Sequence, residues 1–188
     1  MSCKLTKSKS NSCTKSQKQG GLDDFAYVYN IEGVEYTESE DGLTVTAMTL
    51  PDGEFLQKVD TEKYAISFNH KFERPNVVNT LNPQSVTIAS IIENAEDLSW
   101  LINIQTAGKV GVIVKDLNGA YKILGQRAGL RAESVDNYDS GTEQGADVAT
   151  TVMLSGAEVS APFKFFNTGT EIENKAYLEA LREPASAG

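Results

Sequence analysis

Short runs of alternating apolar and polar residues, each closed by a turn signal, restrict this fold more than any other feature. Residues 43–50 alternate in this way and follow the dipeptide Asp41-Gly42. An Asp-Gly pair between alternating runs is typical of a β-hairpin, because the tight turn needs positive φ at its central residues. Pro51-Asp52-Gly53 predicts a second turn, since Pro fixes φ and Gly permits φ > 0. The sequence therefore predicts antiparallel β-structure.

A long strand is predicted within residues 54–73. One face of it would carry Tyr64, Ile66, Phe68, His70 and Phe72, and the other face mostly polar residues. Alternation over so many residues predicts a strand with one half-buried face. Further strands are predicted at residues 25–31, 110–115, 120–125, 130–135, 148–154 and 161–166.

One helix is predicted after residue 94. Asn94 suits the N-cap, Glu96 lies in the first turn, and Asp97 stands at the third helical position. A stripe at helical spacing, formed by Leu98, Leu101, Ile102 and Gln105, is predicted to pack on a sheet. Gly108 then predicts the end of the helix. Residues 171–182 are predicted to form a short second helix.

These elements predict a mainly β fold: two packed antiparallel sheets or a flattened barrel, flanked by one α-helix. Three regions are expected. Residues 1–21 form a flexible basic N-terminal arm, residues 22–170 a β-rich domain, and residues 171–188 a short C-terminal helix and tail. The arm has too few apolar residues to offset the entropy lost on ordering.

Charge is spread unevenly along the chain. Residues 1–20 carry five lysines and no acid, so that, with a net charge of −9 overall, the other 168 residues carry −14. An acidic body repels nucleic-acid phosphates, whereas a basic arm can dock on an acidic neighbour. The sequence therefore disfavours a specific nucleic-acid-binding protein.

No metal or cofactor is predicted. Cys3 and Cys13 could form a disulfide or supply half of a zinc site, but zinc needs four ligands and the only histidine, His70, lies in a distant strand, so unpaired thiols are favoured. Residues 136–147 have the oxygen-rich character of a calcium loop. Tyr138 occupies the third ligand position and no helix flanks the loop, which favours a plain acidic loop.

The sequence also disfavours an enzyme. A nucleophilic Ser or Cys usually needs a neighbouring base, and His70 stands in mid-strand among aromatic residues, as a packed or rim residue would. Residues 108–111 lack the spacing of a phosphate loop and follow a helix where such a loop must precede one. An apolar run of about 18 residues and a secretory signal are both lacking, so we expect synthesis in a cytoplasm and no membrane contact.

Two stretches together carry a family resemblance. Residues 110–125 form a strand, an Asp-Leu-Asn-Gly turn and a strand ending Leu-Gly, followed by Ala128-Gly129-Leu130. Residues 140–147 then lead into a strand that ends Ser155-Gly156-Ala157-Glu158. This pattern resembles virion proteins of tailed bacteriophages, especially those of Bacteroidetes-type hosts, and among them the tail tube proteins and their relatives at the head–tail junction. The Lys-rich and Ser-rich arm departs from the family pattern.

The resemblance implies subunits that form six-fold rings, stacked around a channel through which DNA passes without specific binding. Strands 43–50 and 64–72 are expected to form the channel wall, with an acidic lining, and the arm and loop 136–147 to bridge rings. The expected subunit-interface residues are Leu43, Val45, Ala47, Tyr64, Ile66, Phe68, Phe72, Asp136, Asp139 and Asp147. The protein is then a non-enzymatic virion component assembled in the host cytoplasm. Two alternatives remain: a capsid decoration or head–tail completion ring protein, and a carbohydrate- or cell-surface-binding β-sandwich.

Overall fold

A computed structural model describes residues 20–62, 65–74, 80–136, 150–159 and 161–182. Cys3, Cys13, Tyr64, Asp139 and Asp147 lie outside these ranges. The described part contains eleven strands and two helices. The strands are β1 (Leu22–Asn30), β2 (Glu35–Glu38), β3 (Thr44–Thr49), β4 (Gln57–Asp60), β5 (Ile66–His70), β6 (Asn82–Ser90), β7 (Val110–Asp116), β8 (Tyr121–Leu124), β9 (Arg131–Asp136), β10 (Thr150–Glu158) and β11 (Lys164–Phe166). The helices are α1 (Ala95–Thr106) and α2 (Glu171–Ala180).

The strands form two sheets. Seven strands follow the order β2-β3-β11-β8-β7-β1-β4, and four follow the order β5-β6-β10-β9. Neighbouring strands are antiparallel except β11 and β3, which are parallel. The prediction of a mainly β fold with two packed sheets and a flanking helix is confirmed. Within the described part neither sheet closes into a barrel.

The main core lies between the two sheets and under α1. Val112 and Val114 of β7 point into it, together with Val86 and Ile88 of β6 and Val152 of β10. Each of these side chains is fully buried. Because alternate residues of a strand face opposite sides, the spacing of two between the β7 valines places both on the inner face.

A second core covers the other face of the seven-stranded sheet. Ile113 of β7 and Tyr27 of β1 point into it, and α2 closes it with Leu178, which is fully buried. The Tyr177 hydroxyl donates to the Met48 carbonyl oxygen at 2.8 Å, and the Tyr27 hydroxyl donates to Glu179 Oε1 at 2.6 Å. Since β7 is buried on both faces, its sequence is almost continuously apolar. The C-terminal helix is therefore part of the same folded body.

Helix α1 begins as predicted but packs through a different stripe. Asn94 Oδ1 accepts hydrogen bonds from the Glu96 and Asp97 N–H groups, and Asp97 Oδ2 accepts one from the Asn94 N–H. The buried side chains are Leu101 and Ile104, whereas Leu98 is 49% exposed and Ile102 51% exposed. The predicted stripe was therefore wrong for Leu98, Ile102 and Gln105, all of which are exposed. Apolar residues lie on more than one side of this helix, and only the position of the sheets decides which side packs.

The long strand predicted across residues 54–73 is two strands in different sheets. β4 pairs with β1 in the larger sheet, and β5 pairs with β6 in the smaller one. Between them the chain turns a corner, where the Thr61 N–H donates to the Asp24 carbonyl oxygen at 2.7 Å. Alternation indicates extended backbone but cannot show that the chain passes from one sheet to another. The prediction was therefore correct for the alternation of residues 66–69 and wrong in joining them to residues 57–60 as one strand.

Gly111→Ala is expected to lower the free energy of unfolding by about 1–3 kcal/mol through overpacking. A Cβ at residue 111 would overlap the Tyr29 ring, which is held in place because its hydroxyl hydrogen bonds that of Tyr36 at 2.9 Å. Urea unfolding measures the change. The matched control is Gly108→Ala, where a Cβ would meet nothing within 4 Å. Equal effects of the two substitutions would contradict the packing at Gly111.

Candidate assembly surface

The four-stranded sheet has two edges, β5 and β9, and each pairs with a neighbour on one side only in the described part of the chain. On β5 the residues bonded to β6 are the odd ones: the Ala65 carbonyl accepts from the Ala89 N–H, the Lys71 N–H donates to Pro83, and Glu73 exchanges two bonds with Leu81. In an antiparallel strand, successive residues direct their N–H and C=O groups alternately towards one neighbour and away from it. The N–H and C=O groups of Phe68 and His70 therefore point away from β6, along the open edge.

The face of this sheet that is turned away from the core is made of small, mostly uncharged side chains. Residues of this sheet that alternate with the core-facing ones, and that lie opposite one another in the strand pairing, belong to this face. They are Ser67, Asn69, Pro83, Ser85, Thr87, Ala89, Thr151, Met153, Ser155 and Ala157. Arg131 of β9 pairs with Ser155 and joins this face. Glu133 lies at the β-bulge of β9, and apart from it the described side chains of this face include no carboxylate. Asp136, at the end of β9, pairs with Thr151 of this face. The acidic lining stays a prediction, because residues 137–149 lie outside the described part of the chain.

An aromatic strip, Phe68, His70, Phe163 and Phe165, lies where β5 passes over the larger sheet. The Phe163 ring contacts those of Phe68, His70 and Phe165 edge-on, at centroid distances of 5.8, 5.7 and 5.6 Å. Lys122 Nζ lies 5.4 Å from the centre of the Phe68 ring and forms an ion pair with Asp116 at 2.9 Å. Such edge-on aromatic contacts contribute about 0.5–1.5 kcal/mol each beyond the area they bury. They hold the open edge of β5 against the body.

The structure places the predicted interface residues in different environments. Phe72 and Leu43 are exposed, by 65% and 46%, and Phe68 is half-buried in the aromatic strip. Ile66 is buried, but its backbone lies on the open edge. Asp136 is the last residue of β9 and pairs with Thr151.

Two predicted interface residues lie on β3, which is an interior strand between β2 and β11. Val45 is fully buried in the second core, so its side chain does not reach the surface of the subunit. Ala47 is half-buried on the same strand and pairs with Thr37 of β2. Alternation alone could not distinguish an edge strand from an interior one, because both bury one face.

A buried polar cluster, not foreseen from the sequence, ties the two sheets together beside this surface. Lys164 Nζ lies 2.6 Å from Glu38 Oε2, and Gln126 Nε2 donates to Glu38 Oε1 at 2.8 Å. Glu158 Oε1 accepts hydrogen bonds from the Arg127 and Ala128 N–H groups at 2.8 and 2.9 Å. Lys164, Gln126 and Glu158 are all buried, and burial is tolerated because each is hydrogen bonded.

The hydrogen bond from Lys164 holds the pKa of the Glu38 carboxyl below its ordinary value of 4.5. Since the folded-state pKa is the lower one, ionised Glu38 stabilises the fold above about pH 4.5, and this contribution is lost as pH falls through the folded pKa. Glu38→Gln is therefore expected to lose less stability between pH 6 and pH 3 than the wild-type protein does. Urea unfolding at each pH measures the slope. The exposed Glu40→Gln should keep the wild-type slope, and an unchanged slope in Glu38→Gln would contradict the role of this ion pair.

The described residues include no group of three or more His, Cys, Asp or Glu side chains placed to hold a metal ion. His70 is exposed, and its ring contacts Phe163. Neither helix of the described ranges is long and apolar enough to cross a membrane.

Comparison with protein-family models, with curated proteins and with solved structures found no match to this chain.

Proposed function

We propose that this chain is a structural virion protein that assembles with copies of itself into stacked rings, forming a phage tail tube in the host cytoplasm. The observation that carries the proposal is the four-stranded sheet, whose edge strands β5 and β9 each lack a second partner among the described residues. Open edges invite pairing with another chain, and natural proteins usually cover or interrupt them. Pairing between identical subunits would use these edges for assembly.

The strand directions support head-to-tail pairing. Each neighbouring pair in the order β5-β6-β10-β9 is antiparallel, so β9 runs opposite to β5. When β5 of one copy lies beside β9 of the next, the two strands are again antiparallel and the ladder continues unbroken. A contact between two different edges is heterologous, and it produces a ring when the rotation closes. Six copies would supply about 24 strands, which is enough to surround an open channel, since 22-stranded barrels already enclose a lumen.

The uncovered face of the sheet suits such a channel. Its serine, threonine and alanine side chains offer DNA no array of cations, and Lys and Arg contacts to phosphate are the main source of non-specific affinity for DNA. We infer that DNA passes over this surface without specific binding, and that the protein performs no chemistry.

Electron microscopy in negative stain, with sedimentation velocity over a range of concentrations, tests the proposal. Long tubes with a central channel are the expected result. Single rings that do not stack would favour the head–tail completion or decoration role instead. A subunit that stays monomeric at high concentration, with amide hydrogens of Phe68 and His70 protected from exchange, would overturn assembly through β5.

A further inference from the structure

An open, partly apolar cavity of about 270 Å³ lies at one end of the seven-stranded sheet, beside α1, and its polar lining is formed by Asn30, Glu54, Gln57, Asn103 and Thr106. Its apolar lining is formed by Val28, Phe55, Trp100, Ile104, Ala107 and Val110. Val110 begins β7, and its partner Asn30 ends β1. An apolar cavity of about 150 Å³ is already large enough to hold benzene. This cavity therefore has room for a branched aliphatic side chain.

A side chain of that kind projects from the opposite end of the same sheet. Ile172, in the first turn of α2, is 80% exposed and is the most exposed large apolar residue of the described part. Its neighbour Glu171 forms an ion pair with Lys115 at 2.9 Å, next to Asp116, the last residue of β7. Seven residues of strand span roughly 20 Å, so the projecting side chain and the cavity lie at opposite ends of the subunit.

One pair of opposite charges lies beside the two features, although Ile172 itself is flanked by Glu171 and Glu173 in the first turn of α2. Lys175 lies three residues after Ile172, on the same side of α2, and forms no ion pair with the described residues. Glu54 lines the cavity, where its Oε2 accepts a hydrogen bond from Asn30 Nδ2 at 2.9 Å. A Lys175–Glu54 contact would therefore accompany insertion of Ile172.

We propose that Ile172 of one copy inserts into the Trp100 cavity of the next copy, with Lys175 against Glu54, and that this contact stacks one ring on another. This inference rests on the proposed assembly into rings and adds the contact between one ring and the next. The two surfaces differ, so the contact between them is heterologous. When the two ends of the subunit face along the ring axis, such a contact does not close into a ring, and it repeats from one ring to the next along a stack. Ile172 lies in the first turn of α2. A negative charge near a helix N-terminus is favourable, so replacing Ile172 by an acidic residue is compatible with folding of the helix.

Ile172→Asp tests this contact in the full-length chain. Trp100 is the only tryptophan, so its emission reports directly on the cavity. In the wild-type protein we expect a blue shift of this emission as tubes form, and in Ile172→Asp we expect separate rings with no shift. The matched control is Val159→Asp, which places the same charge at another exposed β-branched residue, 67% exposed, and should still form tubes.

A charge exchange tests the partner assignment. Lys175→Glu and Glu54→Lys are each expected to reduce tube formation at low salt, and the double variant to restore it. Tubes of wild-type length in Ile172→Asp would overturn the ring-to-ring contact while leaving ring formation intact. A wild-type protein that forms no rings would instead overturn the proposed function.

Discussion

His70→Pro is expected to abolish assembly and to leave the subunit folded. The N–H of His70 points along the open edge of β5, so proline removes a donor that no described strand of the same sheet uses. Proline is tolerated in an edge strand when its N–H side faces outward, and it prevents another strand from pairing there. Sedimentation velocity should show monomers where the wild-type protein forms rings or tubes.

His70→Ala is the matched control for this substitution. Both variants lose the imidazole and its contact with Phe163, whereas only proline removes the backbone donor. We expect His70→Ala to assemble, with a thermal midpoint close to that of His70→Pro. Assembly of the proline variant would contradict pairing through β5, and equal loss in both variants would assign the effect to the side chain.

Glu158→Ala is expected to destabilise the subunit by about 2–4 kcal/mol, because it leaves two backbone donors without an acceptor. These donors are the Arg127 and Ala128 N–H groups, which form part-buried hydrogen bonds to Oε1 of the buried Glu158 side chain. The loop they belong to connects β8 with β9, so the loss also loosens the edge strand β9. Urea unfolding measures the stability, and hydrogen exchange at β9 measures the loosening.

Two further variants separate the hydrogen bonds from the charge of Glu158. Glu158→Gln keeps an acceptor oxygen and should cost clearly less than Glu158→Ala. Glu133→Ala removes an exposed carboxylate from β9 itself and should change stability by no more than about 0.5 kcal/mol. If Glu158→Ala and Glu133→Ala had equal effects, the buried carboxylate would not be what holds this loop.

Local signals in the sequence determined much of the secondary structure. Asn94 and Asp97 predicted the start of α1, because a capping box uses only side chains and backbone within one turn. Asn118-Gly119 predicted the turn between β7 and β8, where Gly119 has a φ of +85°. The compact apolar run of residues 110–115 predicted the strand β7. Each of these depends on residues close together in the chain.

The tertiary structure alone decided which strands are edges and which side chains face outward. β3 and β5 have similar alternating sequences, yet β3 is an interior strand and β5 an edge, because edge position depends on partners far away in the chain. The carboxylate of Glu158 bonds a loop about thirty residues earlier, and the exposure of Leu98 depends on where the sheets lie. Periodicity reports one strand or helix at a time, whereas an open edge, a buried carboxylate and the ends of a subunit are properties of the packed sheets.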